Sequence, residues 1–134
     1  MKIAIASDME GFSLKTQLVA FLLQKGHELL DKGEKADAAA CAALVASPVM
    51  SGESGAGILI SATGVGVSAA ANKFEGIKAS VCPDTYAAGR GAREEGMNVL
   101  CLGAGSVGVE LSKELVMSFI KAISPREGMT ETLE

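Results

Sequence analysis

The sequence predicts a three-layer α/β domain built on a mostly parallel, five-stranded sheet. Short continuous apolar runs alternate with amphipathic helical segments along the whole chain, the pattern of strands buried on both faces and joined by helical crossovers. The 134 residues are enough for one core and too few for two. Polar and glycine-rich stretches follow the apolar runs directly, at the strand ends where open α/β sheets bind ligands.

KIAIAS, residues 2–7, is the first apolar run and the first strand. A helix opens near Gly11. Phe12, Leu14, Leu18, Val19, Phe21 and Leu22 recur near helical spacing, and Lys25-Gly26 supplies a cationic end and a terminating glycine. HELLDKG, from His27, is a short second strand ending in a turn. Asp37 is placed to cap an alanine-rich helix reaching Met50, which Pro48 is expected to kink or thin.

GAGILIS and KASVCP are two further buried strands, separated by a glycine turn and a helix, which makes a second β-turn-α-β unit. TYAAGRGAREEG is a helix weakened by Gly89 and Gly91, and MNVLCLGA is the fifth strand. GVELSKELVMSFIKAI closes the domain as an amphipathic helix. Residues 1–123 therefore form one domain, and residues 124–134 a polar tail expected to fray.

Apolar residues make up 49% of the chain and charged ones 21%, with no Trp, so the core is built from Ala, Val, Ile and Leu. A net charge of -4 without any Lys/Arg block argues against a nucleic-acid surface. The apolar run after Met1-Lys2 is shorter than a signal-peptide core or a membrane span, so the chain reads as cytoplasmic and free of the membrane. Cys41, Cys82 and Cys101 are odd in number, widely spaced and set among Ala, Val and Leu, as reduced core thiols are. The sole histidine, His27, has no sequence partner and reads as structural.

The stretch ILISATGVGVSAAANKF, residues 58–74, admits three readings from its residues. It is an anion cradle if the glycines let the backbone approach an oxyanion, with Thr63 and Ser68 adding hydroxyl donors. It is a dinucleotide turn if Gly64 to Ala69 is a G-x-G-x-x-A fingerprint, with Asp84 as the acid about 20 residues on. It is plain strand-to-helix packing if glycine serves only for closeness. Parallel strands bring Asp8, residues 61–68 and the loop at residues 103–106 to one rim, and Asp8 fits either a site or a helix cap there.

Read together, KIAIASDMEGFSLK, DKG, GILISATGVGVSAAANKFEGIKASVC and NVLCLGAGSVGVELSKELV resemble the type B ribose-5-phosphate isomerases, a family that includes the galactose-6-phosphate isomerase subunits. T-G-V-G-x-S followed by A-N-K-x-x-G-I-K-A is its most specific part. The resemblance implies a Rossmann-like sheet and a homodimer or homotetramer, or a hetero-oligomer with a homologous subunit, whose sites lie between subunits. It also implies aldose-ketose isomerisation of a phosphorylated sugar through an enediolate, with no metal, nucleotide or other cofactor.

On this resemblance Asp8, Ser61, Thr63 and Glu94 are the catalytic candidates, and Ala62, Gly64, Val65, Gly66, Ser68 and Glu95 the substrate-binding ones. The chain also departs from the family pattern. Met9 replaces a phosphate-binding His, Ser61 the catalytic Cys, and Val67 the alternative Glu base. Glu94-Glu95 replaces a His-Asn pair contributed by the neighbouring subunit, and Ala38-Ala39 an expected Tyr-Pro. The C-terminal phosphate-binding arginine signature is missing, with Gly128 and Thr132 near its positions. These losses keep open a non-catalytic subunit or a sugar-phosphate-binding relative as the alternative to an enzyme.

Overall fold

The computed structural model describes the backbone of residues 1–133 and the side chains of residues 1–123. Its elements are β1 (Lys2–Ser7), α1 (Phe12–Gln24), β2 (Glu28–Glu34), α2 (Ala38–Ser51), β3 (Ala56–Ser61), α3 (Val65–Ala71), β4 (Ala79–Val81), α4 (Thr85–Glu95), β5 (Val99–Gly103) and α5 (Val109–Leu133). The strands form one sheet in the order β2-β1-β3-β5-β4, with every pairing parallel. The side chains of the expected frayed tail lie outside the described residues.

Alternation within each strand decides which layer each side chain enters. Ile3, Ile5, Ile58, Ile60, Leu100 and Leu102 face the layer that holds α1, α4 and α5, where Leu18, Leu22, Leu115 and Phe119 complete a fully buried core. The other face carries Ala4, Ala6, Leu59, Val99 and Cys101 against α2 and α3. Its residues are smaller, so α2 packs close: a side chain at Gly57 would overlap Val45 Cγ1. The alanine-rich composition of α2 is the matching half of that contact, because short side chains let a helix approach the sheet.

Asp37 caps α2 as expected, accepting the Ala40 N–H at 2.9 Å. The helix runs through Pro48 to Ser51 and ends at Gly52, whose φ of 83° suits a left-handed cap. No break occurs at Pro48, which is itself buried against the core.

At the β2 edge Lys15 is 3% exposed, and its Nζ lies 2.6 Å from Asp31 Oδ1. Burial pushes the Asp31 carboxyl up, but the Lys15 and Gly33 hydrogen bonds and the Lys15 charge outweigh it and hold it below the ordinary value of 3.8. Its folded value thus lies below its unfolded value. The pair's contribution is complete above the unfolded value and is lost as pH falls through the folded one.

Asp31→Asn should lower stability by about 1–2 kcal/mol, less than for a fully buried pair because Asp31 keeps solvent contact. It should also remove this acid-side loss. Lys15→Met in the same background should restore the urea midpoint. An unchanged midpoint and pH profile in Asp31→Asn would contradict this account of the pair.

Candidate functional site

The carboxyl ends of β1 and β3 meet at one rim. Asp8 leaves β1 with its N–H donating to the Ile60 carbonyl at 3.0 Å, and its Oδ1 accepts the Gly11 N–H at 2.8 Å. Cap and site are therefore compatible at Asp8. One carboxylate oxygen shapes the entry to α1, while the side chain still lines a cavity of about 190 Å³.

Two hydroxyls and the glycine turn line the same cavity. Ser61 is 8% exposed, and its Oγ accepts the Gly64 N–H at 2.8 Å. Thr63 Oγ1 accepts the Val65 N–H at 3.2 Å. Each oxygen is occupied as an acceptor, so each hydroxyl proton remains available to donate.

The same bonds use up the Gly64 and Val65 N–H groups, leaving those of Gly66 and Val67 without a partner among the described residues. Gly64 makes the turn with φ of 80°, a conformation open to glycine. Ala36, Ala38 and Ala62 complete the cavity, and its lining includes no basic side chain.

The structure thus gathers Asp8, Ser61, Ala62, Thr63 and Gly66 around one space. Other candidates lie elsewhere. Ser68 turns toward the sheet and donates its hydroxyl to the Ala79 carbonyl at 3.3 Å. Glu94 and Glu95 end α4, which starts beyond the carboxyl end of β4 and returns to the amino ends of the strands. Within one chain they stand at the far end of the sheet from Asp8. There Glu94 pairs with Arg90 at 2.8 Å, and the Glu95 carbonyl accepts from Lys78 Nζ at 3.3 Å.

Gly66 is expected from the sequence, while the Val67 amide and the Ala36 wall are not singled out by it. A rule that every loop following a parallel strand reaches the same rim would have found Ala36, just beyond β2.

The dinucleotide reading fails on two counts. Asp84 is spent as the cap of α4, accepting the Ala87 N–H at 2.8 Å. Among the described residues the glycine turn follows a central strand with only β4 and β5 after it, short of a second mononucleotide-binding half. Among the described residues no group of His, Cys, Asp and Glu side chains could hold a metal ion, and no helix is long and apolar enough to cross a membrane.

All three cysteines are free and buried. Cys41 sits beneath the cavity, where burial and then the Asp8 charge push its thiol up to about 11. Burial pushes Cys101 up to about 12, and Cys82 in the same direction. None offers a thiolate in place of the cysteine missing at Ser61. His27 sits before β2, at the amino ends of the strands, beside the N-terminus, and burial lowers its pKa. It is remote from Asp8.

Fold and site together define a three-layer α/β protein with a small polar pocket on the carboxyl rim, furnished with one carboxylate, two hydroxyl donors and two open amides. Residues 3–132 match the family model described as Ribose/Galactose Isomerase, and the chain belongs to that family. It is 45% identical over 125 residues to ribose-5-phosphate isomerase B of Escherichia coli, covering 90% of this chain and 84% of that one. A 4-deoxy-4-sulfo-D-erythrose isomerase from a Clostridium species is 36% identical over 139 residues, covering 100% of this chain and 84% of its own. The structure of ribose-5-phosphate isomerase B from Mycoplasma genitalium with bound ribulose-5-phosphate superposes with a TM-score of 0.83 at 33% identity, covering 96% of this chain and 93% of that one.

With a thiol at about 11, Cys41 is ionised to about one part in a thousand at pH 8. Iodoacetamide should leave the folded protein unmodified at that pH and alkylate all three cysteines in denaturant. Rapid labelling of Cys41 in the folded protein, read by mass spectrometry, would contradict the buried placement.

Proposed function

We propose that the chain is an aldose-ketose isomerase of a phosphorylated sugar, with Asp8 as the group that carries the proton between C1 and C2. The observation that supports this most is the placement of Asp8. Among the described residues it is the one carboxylate lining the cavity of about 190 Å³, whose lining also includes the two hydroxyl-bearing residues Ser61 and Thr63 and the residues of the two open amides, Gly66 and Val67.

In the forward direction the carboxylate removes the C2 proton of the open-chain aldose. The negative charge that develops on the C1 oxygen is met by the Gly66 and Val67 N–H groups, and the Ser61 and Thr63 hydroxyls donate to the neighbouring oxygens. In the enediolate the proton of the C2 hydroxyl passes to the C1 oxygen, and the protonated Asp8 returns its proton to C1, giving the ketose with its carbonyl at C2. Ser61 acts here as a donor. A serine hydroxyl is too weak an acid to supply the carbon base itself.

The cavity lining has no cation for the phosphate, so this reading includes a second subunit to complete the site, in a cytoplasmic homodimer or homotetramer. Glu94 and Glu95 enter the reaction only if a partner presents them. The same lack of a cation favours a second reading, in which the chain is the non-catalytic member of a hetero-oligomer. Activity should then require a homologue that carries the usual cysteine.

The purified protein is to be offered tetrose, pentose and hexose phosphates, with turnover followed by the change from aldose to ketose. One of them should be isomerised, and Asp8→Asn should cut kcat by about 10²–10⁴-fold while the fold, seen by circular dichroism, stays intact. Turnover unaffected by Asp8→Asn would remove Asp8 from the mechanism. No turnover with any substrate, alone, would favour the second reading.

A further inference from the structure

The loop after β5 does not itself line the cavity, yet its backbone is joined to the turn that does. Ala104 N–H donates to the Ser61 carbonyl at 2.7 Å, and Gly105 N–H to the Ala62 carbonyl at 2.9 Å. These bonds carry the register of β3 and β5 past the ends of the strands. Just before them Gly103 lies against the Thr63 backbone. A Cβ built on Gly103 would stand 2.7 Å from the Thr63 oxygen, 2.8 Å from its carbonyl carbon and 3.0 Å from its Cα.

The contact is with backbone, so no side-chain rotation relieves it. A Cβ built on Gly64, next along the turn, would stand 3.1 Å from the Leu102 carbonyl carbon. The turn is thus held close to β5 at Thr63 and Gly64, two residues before the first of the open amides that line the cavity.

We infer that Gly103 is a positioning residue for the isomerisation. The missing side chain lets the β5–α5 loop hold residues 61–64 so that the Gly66 and Val67 N–H groups converge on the developing oxyanion. This rests on the proposed function. Gly103 touches no substrate and acts through Thr63 and the turn. An oxyanion donor is used in the transition state more than in the bound aldose, so displacing it lowers kcat and leaves KM nearly unchanged.

The other glycines of the loop make a graded series. At Gly105 a Cβ would stand 3.1 Å from the Ala62 oxygen alone, and at Gly108 it would meet nothing within 4 Å. Gly103→Ala should lower kcat by about tenfold or more with KM within about threefold, Gly105→Ala should lower it less, and Gly108→Ala should leave it unchanged.

Backbone amide NMR of the same variants reads the geometry without any substrate. Gly103→Ala should move the resonances of residues 63–67 and leave those of α1 in place. A Gly103→Ala enzyme with wild-type kcat, or one whose turn amides do not move, overturns the inference. So does a loss of the same size in Gly108→Ala, which would mark a general cost of removing glycine. If Gly103→Ala does not fold, the milder Gly105→Ala decides by the same two readouts. A wild type that isomerises no sugar phosphate overturns the functional reading and the catalytic part of the inference, while the amide shifts still decide whether the clamp exists.

Discussion

The candidate site depends on one constraint: two loops at the end of a parallel sheet are bonded to each other through their backbones. The β3–α3 turn carries the hydroxyls and the open amides. Short glycine-rich turns are otherwise free to adopt several shapes, and fixing one of them costs conformational entropy. The Ala104–Ser61 and Gly105–Ala62 bonds and the close contact at Gly103 supply that fixation from β5, the strand already paired with β3. Ser61 and Thr63 finish it locally by accepting the first two N–H groups of the turn. The residues of the amides left over, Gly66 and Val67, line the cavity.

The sheet prepares this arrangement from both sides. Large Ile and Leu side chains anchor it to α1 and α5, while Ala4, Ala6 and Gly57 keep the opposite face shallow enough for α2 to approach. Ala36 and Ala38, where the chain enters α2, close the cavity beside Gly66. Asp8 reaches the same space because β1 is the immediate neighbour of β3, and the Gly11 N–H fixes one of its oxygens. The chain thus brings a carboxylate, two hydroxyl-bearing residues and two open amides around one cavity.

Much of this was legible in the sequence. The apolar runs of β1, β3 and β5 mark their strands because burial on both faces requires continuous apolar composition. No residue of the edge strands β2 and β4 is fully buried, so the burial expected of KASVCP does not hold for Ala79–Val81. Asp37 and Gly26 mark helix ends through local chemistry alone. Residues set by long-range backbone geometry were harder to place. Ser68 carries the same hydroxyl as Thr63, yet the helix turns it to the Ala79 carbonyl and away from the cavity. Glu94 and Glu95 can be matched to a family position, but only the direction of α4 shows that one chain holds them at the far end of its sheet. The division of the turn amides into bonded and open ones depends on where two hydroxyl oxygens come to rest, which no spacing pattern encodes.

The central claim, that Asp8 carries the proton through an enediolate, is tested most directly by isomerising the accepted sugar phosphate in D2O and reading the product by NMR. A carboxyl proton exchanges with solvent during the life of the intermediate, so the account predicts deuterium at C1 of the ketose. It predicts that this signal survives in Ser61→Ala and vanishes in Asp8→Asn. Isomerisation with no deuterium uptake, or uptake undiminished in Asp8→Asn, would contradict it.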